Sequence, residues 1–157
     1  GNLPYNISTP LLFHLLEQAD AIQDMHFMLQ KEVVDRMAAA PGGGDYGRLS
    51  VMIQYHCRVE PLFRVGPGAF KPAPRVDSAL VRLTPWPQPP FPVKDTGLLT
   101  TLVRQAFSQR RKTLRNALKG LLSEQSIRAT GTDPAARPET IGLEQYVALA
   151  NQLATET

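Results

Sequence analysis

Apolar positions along the chain recur with helical and strand periods in alternation up to a proline-rich break, and with helical spacing alone beyond it. Leu11, Leu12, Leu15 and Leu16 fall three and four residues apart behind Thr9-Pro10, a hydroxyl cap followed by proline at the first helical position. That spacing predicts a helix to about Glu17. Residues 25–29 (Met-His-Phe-Met-Leu) form a short apolar run of buried-strand length, and residues 31–37 follow as an amphipathic helix. This helix–strand–helix alternation predicts an α/β domain with a mostly parallel sheet. Residues 49–57 fit helix or strand, with helix the preferred reading. Residues 59–65 and 78–83 read as strands, the first with an irregular start at Pro61.

Residues 85–92 (Pro-Trp-Pro-Gln-Pro-Pro-Phe-Pro) are the break, and only helical spacing follows it. An apolar stripe runs through Leu99, Val103, Phe107, Leu114, Leu118 and Leu121. One unbroken helix would put Arg110 among these apolar residues, so either Arg110 snorkels or the helix breaks near 108–113, and the break is the preferred reading. Residues 133–139 read as a loop, and 143–154 as a last helix with Leu143, Tyr146, Val147, Ala150 and Leu153 on one face. The domain reading is 1–86, a linker at 87–95, and a helical unit at 96–157.

Composition narrows the class. The chain has 157 residues, 43% of them hydrophobic and 20% charged, as in a globular protein. Cys57 is its one cysteine, so no internal disulfide forms, and a reducing cytoplasm fits. His14, His26 and His56 are scattered without metal-ligand spacing, and no apolar run is long enough to cross a bilayer. Pro41-Gly42-Gly43-Gly44 follows a helix and no Lys-Ser/Thr closes it, so it reads as a plain loop rather than a phosphate cradle.

The net charge is only +3, but its distribution is uneven. Arg104, Arg110, Arg111, Lys112, Arg115 and Lys119 lie in a stretch without Asp or Glu. Such a run is usually a solvated face, and the missing acids raise the case for phosphate contacts, which would suit the backbone of a structured RNA.

The first residues carry the other candidate chemistry. Asn2-Leu3-Pro4-Tyr5 places an amide, a rigid proline turn and an aromatic ring in succession. The Asn2 side-chain oxygen and a backbone carbonyl of Leu3 or Pro4 can accept both N–H bonds of an exocyclic amine, with the base stacked on Tyr5. The same four residues also make an ordinary Asn-x-Pro turn with a core tyrosine. Residues 70–77 (Phe-Lys-Pro-Ala-Pro-Arg-Val-Asp) form a stiff extended loop, in which Phe70 is either a core residue or an anchor held in place for a ligand.

Taken together and in order, Asn2-Leu3-Pro4-Tyr5, the 70–79 loop and residues 107–116 (Phe-Ser-Gln-Arg-Arg-Lys-Thr-Leu-Arg-Asn) resemble the rRNA adenine N6-dimethyltransferases, with the bacterial small-subunit group nearest. The resemblance implies the second half of a Rossmann-like S-adenosylmethionine-dependent methyltransferase domain, followed by a small all-α C-terminal domain. It implies that Asn2 lies where cofactor and target base meet, that Leu3, Pro4 and Tyr5 line the adenine pocket, and that Phe70 approaches from the opposite side. It further implies the immature small ribosomal subunit and its rRNA as partners, with two adjacent adenosines of a 3′-terminal hairpin loop as the target. The family's glycine-rich loop and ribose-holding acid have no counterpart in these residues. The expectation is therefore a truncated form, inactive by itself. The competing readings are a large-subunit resistance methyltransferase and a non-catalytic small-subunit assembly factor.

Overall fold

Alternation of buried and open positions sets the sheet. The computed structural model describes residues 14, 24–66, 77–109 and 111–157. In β1 (Met25–Gln30), Met25, Phe27 and Leu29 are buried on one face, opposite Leu83, Val81 and Ala79 of β3 (Ser78–Pro85). The strand β2 (Cys57–Val65) flanks β3 on its other side, so the order is β1-β3-β2.

Both pairings are antiparallel. This corrects the mostly parallel sheet expected from the alternation of elements. β1 and β2 do run the same way, but β3 returns between them and reverses each pairing. The irregularity expected at Pro61 is present as a register shift between Pro61 and Phe63. Proline has no N–H to give the ladder, so the strand bulges there, and Leu62 and Phe63 beyond it are exposed.

Helix α1 (Lys31–Ala38) buries Val33, Val34 and Met37 against the inner face of the sheet. Its outer face carries the i,i+4 pairs Lys31–Asp35 at 2.7 Å and Glu32–Arg36 at 2.6 Å. The ambiguous 49–57 stretch is helical as α2 (Arg48–His56). Ser50, fully buried, holds its start: the hydroxyl accepts from the Gly47 N–H and donates to the Arg36 carbonyl. Two sides of α2 are apolar because it serves two cores. Ile53 joins the sheet cluster, while Val51, Met52 and Tyr55 join the helices that follow.

Those helices are α3 (Thr96–Ala106), α4 (Leu114–Ala117), α5 (Glu124–Ala129) and α6 (Leu143–Glu156), with a 3-10 turn at Pro138–Thr140. Asp95 caps α3 by accepting from the N–H groups of Gly97 at 2.8 Å and Leu98 at 3.2 Å. The proline-rich stretch is tied down. Asn151 accepts from the Lys94 N–H at 2.8 Å and donates to the Pro92 carbonyl at 3.2 Å, and Trp86 Nε1 donates to the Gln54 carbonyl at 3.0 Å.

Candidate nucleic-acid interface

The basic residues sit where α3 ends and the chain turns into α4. Ser108 stops α3 with both its N–H and its hydroxyl on the Gln105 carbonyl, at 3.2 and 2.7 Å. Phe107 turns inward between the rings of Tyr46 and Tyr146, with centroids 6.1 and 5.7 Å away. The break expected near 108–113 is therefore present, and the chain restarts at Leu114.

Helix α4 is short but firmly seated. Leu114 and Leu118, one turn apart, are both fully buried. The first N–H groups of α4 are taken by a neighbouring loop: Leu114 donates to the Ala136 carbonyl at 2.8 Å and Arg115 to that of Pro134 at 3.0 Å. The Gln105 amide donates to the carbonyls of Ala117 and Lys119, at 3.1 and 3.0 Å, and so joins the end of α3 to the end of α4. With Leu114 and Leu118 turned inward, Arg115 and Lys119 turn out. Arg104, Arg111, Lys112, Arg115 and Lys119 are all exposed, and Arg115 and Lys119 line one groove. Arg110 lies outside the described residues, as do Asn2, Leu3, Pro4, Tyr5, Phe70 and, apart from a helical His14, the opening helix.

An open groove of about 590 Å³ runs beside Arg115, Asn116, Lys119, Gly120, Ser123 and Glu124. Here the interface is less uniformly basic than its sequence. Glu124 Oε1 lies 3.0 Å from Arg128 Nη2 and 3.3 Å from Arg115 Nη1. The hydrogen bond from Arg128, then the charge of Arg115, hold the Glu124 carboxyl below the usual carboxylate range despite some desolvation. Sequence reading missed Glu124, Arg128 and Gln105. The Glu124–Arg128 spacing of four, behind a serine cap at Ser123, was the available signal.

Beneath the turn, the Tyr46 hydroxyl donates to the Ile141 carbonyl and that of Tyr146 to the Pro138 carbonyl, both at 2.6 Å. Burial pushes both phenols well above their ordinary range, so they remain protonated donors.

The resemblance puts only Asn2 beside S-adenosylmethionine, and two further grooves lie among the described residues. One, of about 330 Å³, is lined by Gln30, Lys31, Glu32, Asp35, Asp45 and Asp77; the other, of about 420 Å³, includes Gln54, Arg58, Trp86, Phe91 and Leu143. Among the described residues, no group of three or more His, Cys, Asp or Glu could hold a metal ion, and no helix is long and apolar enough to cross a membrane.

Comparison with known proteins bears on the whole chain. A family model described as Ribosomal RNA adenine dimethylase matches residues 1–155. A relative from Pseudomonas aeruginosa, named Ribosomal RNA small subunit methyltransferase A, is 69% identical over 154 residues, covering 98% of this chain and 58% of its own length. A protein of the same name from Pseudomonas putida is 67% identical over 156 residues, 99% of this chain and 58% of its own. Another from Hahella chejuensis is 62% identical over 151 residues, 96% of this chain and 55% of its own. Among solved structures, a dimethyladenosine transferase from Plasmodium falciparum superposes with a TM-score of 0.76 at 25% identity, over 94% of this chain and 63% of that one. The 23S rRNA methyltransferase ErmE superposes at 0.70, also at 25% identity, over 98% and 64%. The chain thus spans about 58% of the length of the first two relatives.

Proposed function

Because the chain belongs to the ribosomal RNA adenine dimethylase family, we propose that it forms the target-binding part of an enzyme that dimethylates N6 of two adjacent adenosines. The substrate is the 3′-terminal hairpin loop of small-subunit rRNA in the immature cytoplasmic subunit. The observation that carries this reading is the family match over residues 1–155, together with 62–69% identity to proteins named as small-subunit methyltransferases. In the finer division, residues 1–86 belong to the catalytic domain, 87–95 link, and the all-α unit at 96–157 meets the RNA.

In this reading Asn2, Leu3, Pro4, Tyr5 and Phe70 make the adenine pocket. Adenine's exocyclic amine is a poor nucleophile because its lone pair is delocalised into the ring. Two acceptors, the Asn2 side-chain oxygen and a carbonyl of Leu3 or Pro4, draw its two N–H bonds out of the ring plane and free that lone pair. Tyr5 and Phe70 hold the flipped base by its faces, a contact worth roughly 1–3 kcal/mol per stacked base. S-adenosylmethionine supplies a sulfonium methyl, so no strong general base is required of the protein. Its binding rests on a glycine-rich loop and a ribose-holding acid that these 157 residues do not contain. The chain alone is therefore inactive in methyl transfer.

Arg104, Arg110, Arg111, Lys112, Arg115 and Lys119 hold phosphates, which separates docking from chemistry. The test measures binding of a labelled small-subunit 3′ hairpin RNA, alongside tritium transfer from S-adenosylmethionine to unmethylated subunits. Binding is expected to survive Asn2→Ala and to be lost with Arg111→Ala and Arg115→Ala together. Each lost phosphate contact lowers the steepness of log Kd against log salt by about 0.9. Tighter binding to a large-subunit hairpin would favour the ErmE-like reading instead. Transfer by this chain at a rate like that of a complete enzyme would refute the claim of inactivity.

A further inference from the structure

Glu124 stands in the groove that the basic turn offers to RNA. Its Oε1 accepts from Arg115 Nη1 on α4 and from Arg128 Nη2 one turn further along its own helix. The backbones of the three residues are fixed. Leu114 and Ile127 are fully buried beside them, Arg115 N–H is bonded to the Pro134 carbonyl, and the Ser123 hydroxyl caps α5 by accepting from Ser126 N–H at 3.1 Å. The three charged side chains, by contrast, are 45%, 44% and 64% exposed for Arg115, Glu124 and Arg128, within reach of solvent and of any ligand in the groove.

From this arrangement we infer that Glu124 is an internal competitor for the RNA phosphate at Arg115, so that this arginine binds RNA by exchange rather than as a free cation. The inference rests on the RNA reading of the basic turn. A phosphate arriving at Arg115 displaces the carboxylate from its longer contact, 3.3 Å, while the shorter one, 3.0 Å to Arg128, retains it. Arg128 thus parks the displaced acid, and no charge is left unpaired. Among the described residues, Arg104, Arg111, Lys112 and Lys119 form no ion pair, so of these five described cations the competition falls on Arg115. Such a device weakens binding to any polyanion at that point. It yields best to a phosphate held opposite Arg115 by the rest of the RNA, and so favours a shaped partner over a random one.

The test is a double-mutant cycle on the chain, read by fluorescence anisotropy of a fluorescein-labelled small-subunit 3′ hairpin RNA over a series of salt concentrations. Glu124→Gln is expected to tighten Kd roughly two- to fivefold, the range open to an exposed ion pair, and to leave the salt slope unchanged, because Arg115 meets its phosphate with or without the carboxylate. In an Arg115→Gln background the same substitution is expected to change Kd by less than the error. An equal gain in both backgrounds would mean that Glu124 acts only through net charge, and would overturn the exchange. No gain beside a clear loss in Arg115→Gln would overturn it too, with the RNA reading intact. If neither Arg115→Gln nor Lys119→Gln weakens binding, the RNA reading itself fails. Glu124→Asp keeps an acid in the first turn of α5 while withdrawing it from Arg115. A similar gain is expected there, with the thermal midpoint unchanged.

Discussion

Tyr46 shows how much one hydroxyl can hold. Its ring touches the edge of Phe107, and its O–H reaches the Ile141 carbonyl, 95 residues away in the chain. Tyr46→Phe keeps the ring and leaves that buried carbonyl without its donor. A loss of about 1–2 kcal/mol in urea unfolding is expected, with little change in near-ultraviolet dichroism. Cys57 makes a different point. It is 1% exposed, and burial pushes its thiol from 9.0 up to about 12. The unfolded thiol ionises near 9 while the folded one keeps its proton to about 12. Unfolding therefore releases a proton within that window, and the contribution to stability is complete below pH 9 and lost as pH rises from there. At pH 8 the folded chain should react with a disulfide reagent only at its opening rate, and at once in urea. Fast labelling of the folded chain would show that the sheet core is open at Cys57.

At the level of elements, the turn that closes α4 depends on Gly120, whose φ is +89°. A Cβ added there meets nothing within 4 Å, so backbone strain is the whole cost of a substitution. Gly120→Ala should lower stability by about 1–2 kcal/mol, measured by denaturant midpoint, without loss of helical signal. The elements that could be read from sequence were those with one dominant face. α1 is such a case, with Val33, Val34 and Met37 together, and so is α6. The break before α4 was legible because Arg110 conflicted with the apolar stripe. α5 was not, because Ile127 is its one buried residue and a single position has no period. The 49–57 stretch was ambiguous because it feeds two cores, which blurs its spacing. Antiparallel β3 could not be inferred from the alternation of elements, which carries no strand direction. For the candidate interface, the basic residues were visible as a run, whereas Glu124 enters it only through the fold that brings its carboxylate to Arg115.

For the molecule as a whole, the question is whether the sheet and the later helices unfold together. They share material: Tyr46, Val51, Met52 and Tyr55, all before the proline-rich stretch, lie in the same cluster as Leu99, Leu102, Tyr146 and Leu149. Fully burying a large apolar side chain contributes about 1.5–3 kcal/mol, so these four together account for roughly 6–12 kcal/mol on that scale. That is comparable to the entire stability of an ordinary domain, about 5–15 kcal/mol. The helices from 96 onward therefore cannot lose α2 and keep their core intact. Trp86 is the only tryptophan, and it is bonded to the Gln54 carbonyl at the seam, so its fluorescence reports on the junction while far-ultraviolet dichroism reports on the helices. The two urea transitions of the chain should superimpose. Residues 87–157 expressed alone should keep much of their helix signal, lose near-ultraviolet dichroism and bind a hydrophobic dye, as an expanded state does. Two separated transitions in the chain, or a sharply cooperative 87–157 segment, would instead show that the helices hold their core without α2. The basic turn would then be free to move relative to the sheet.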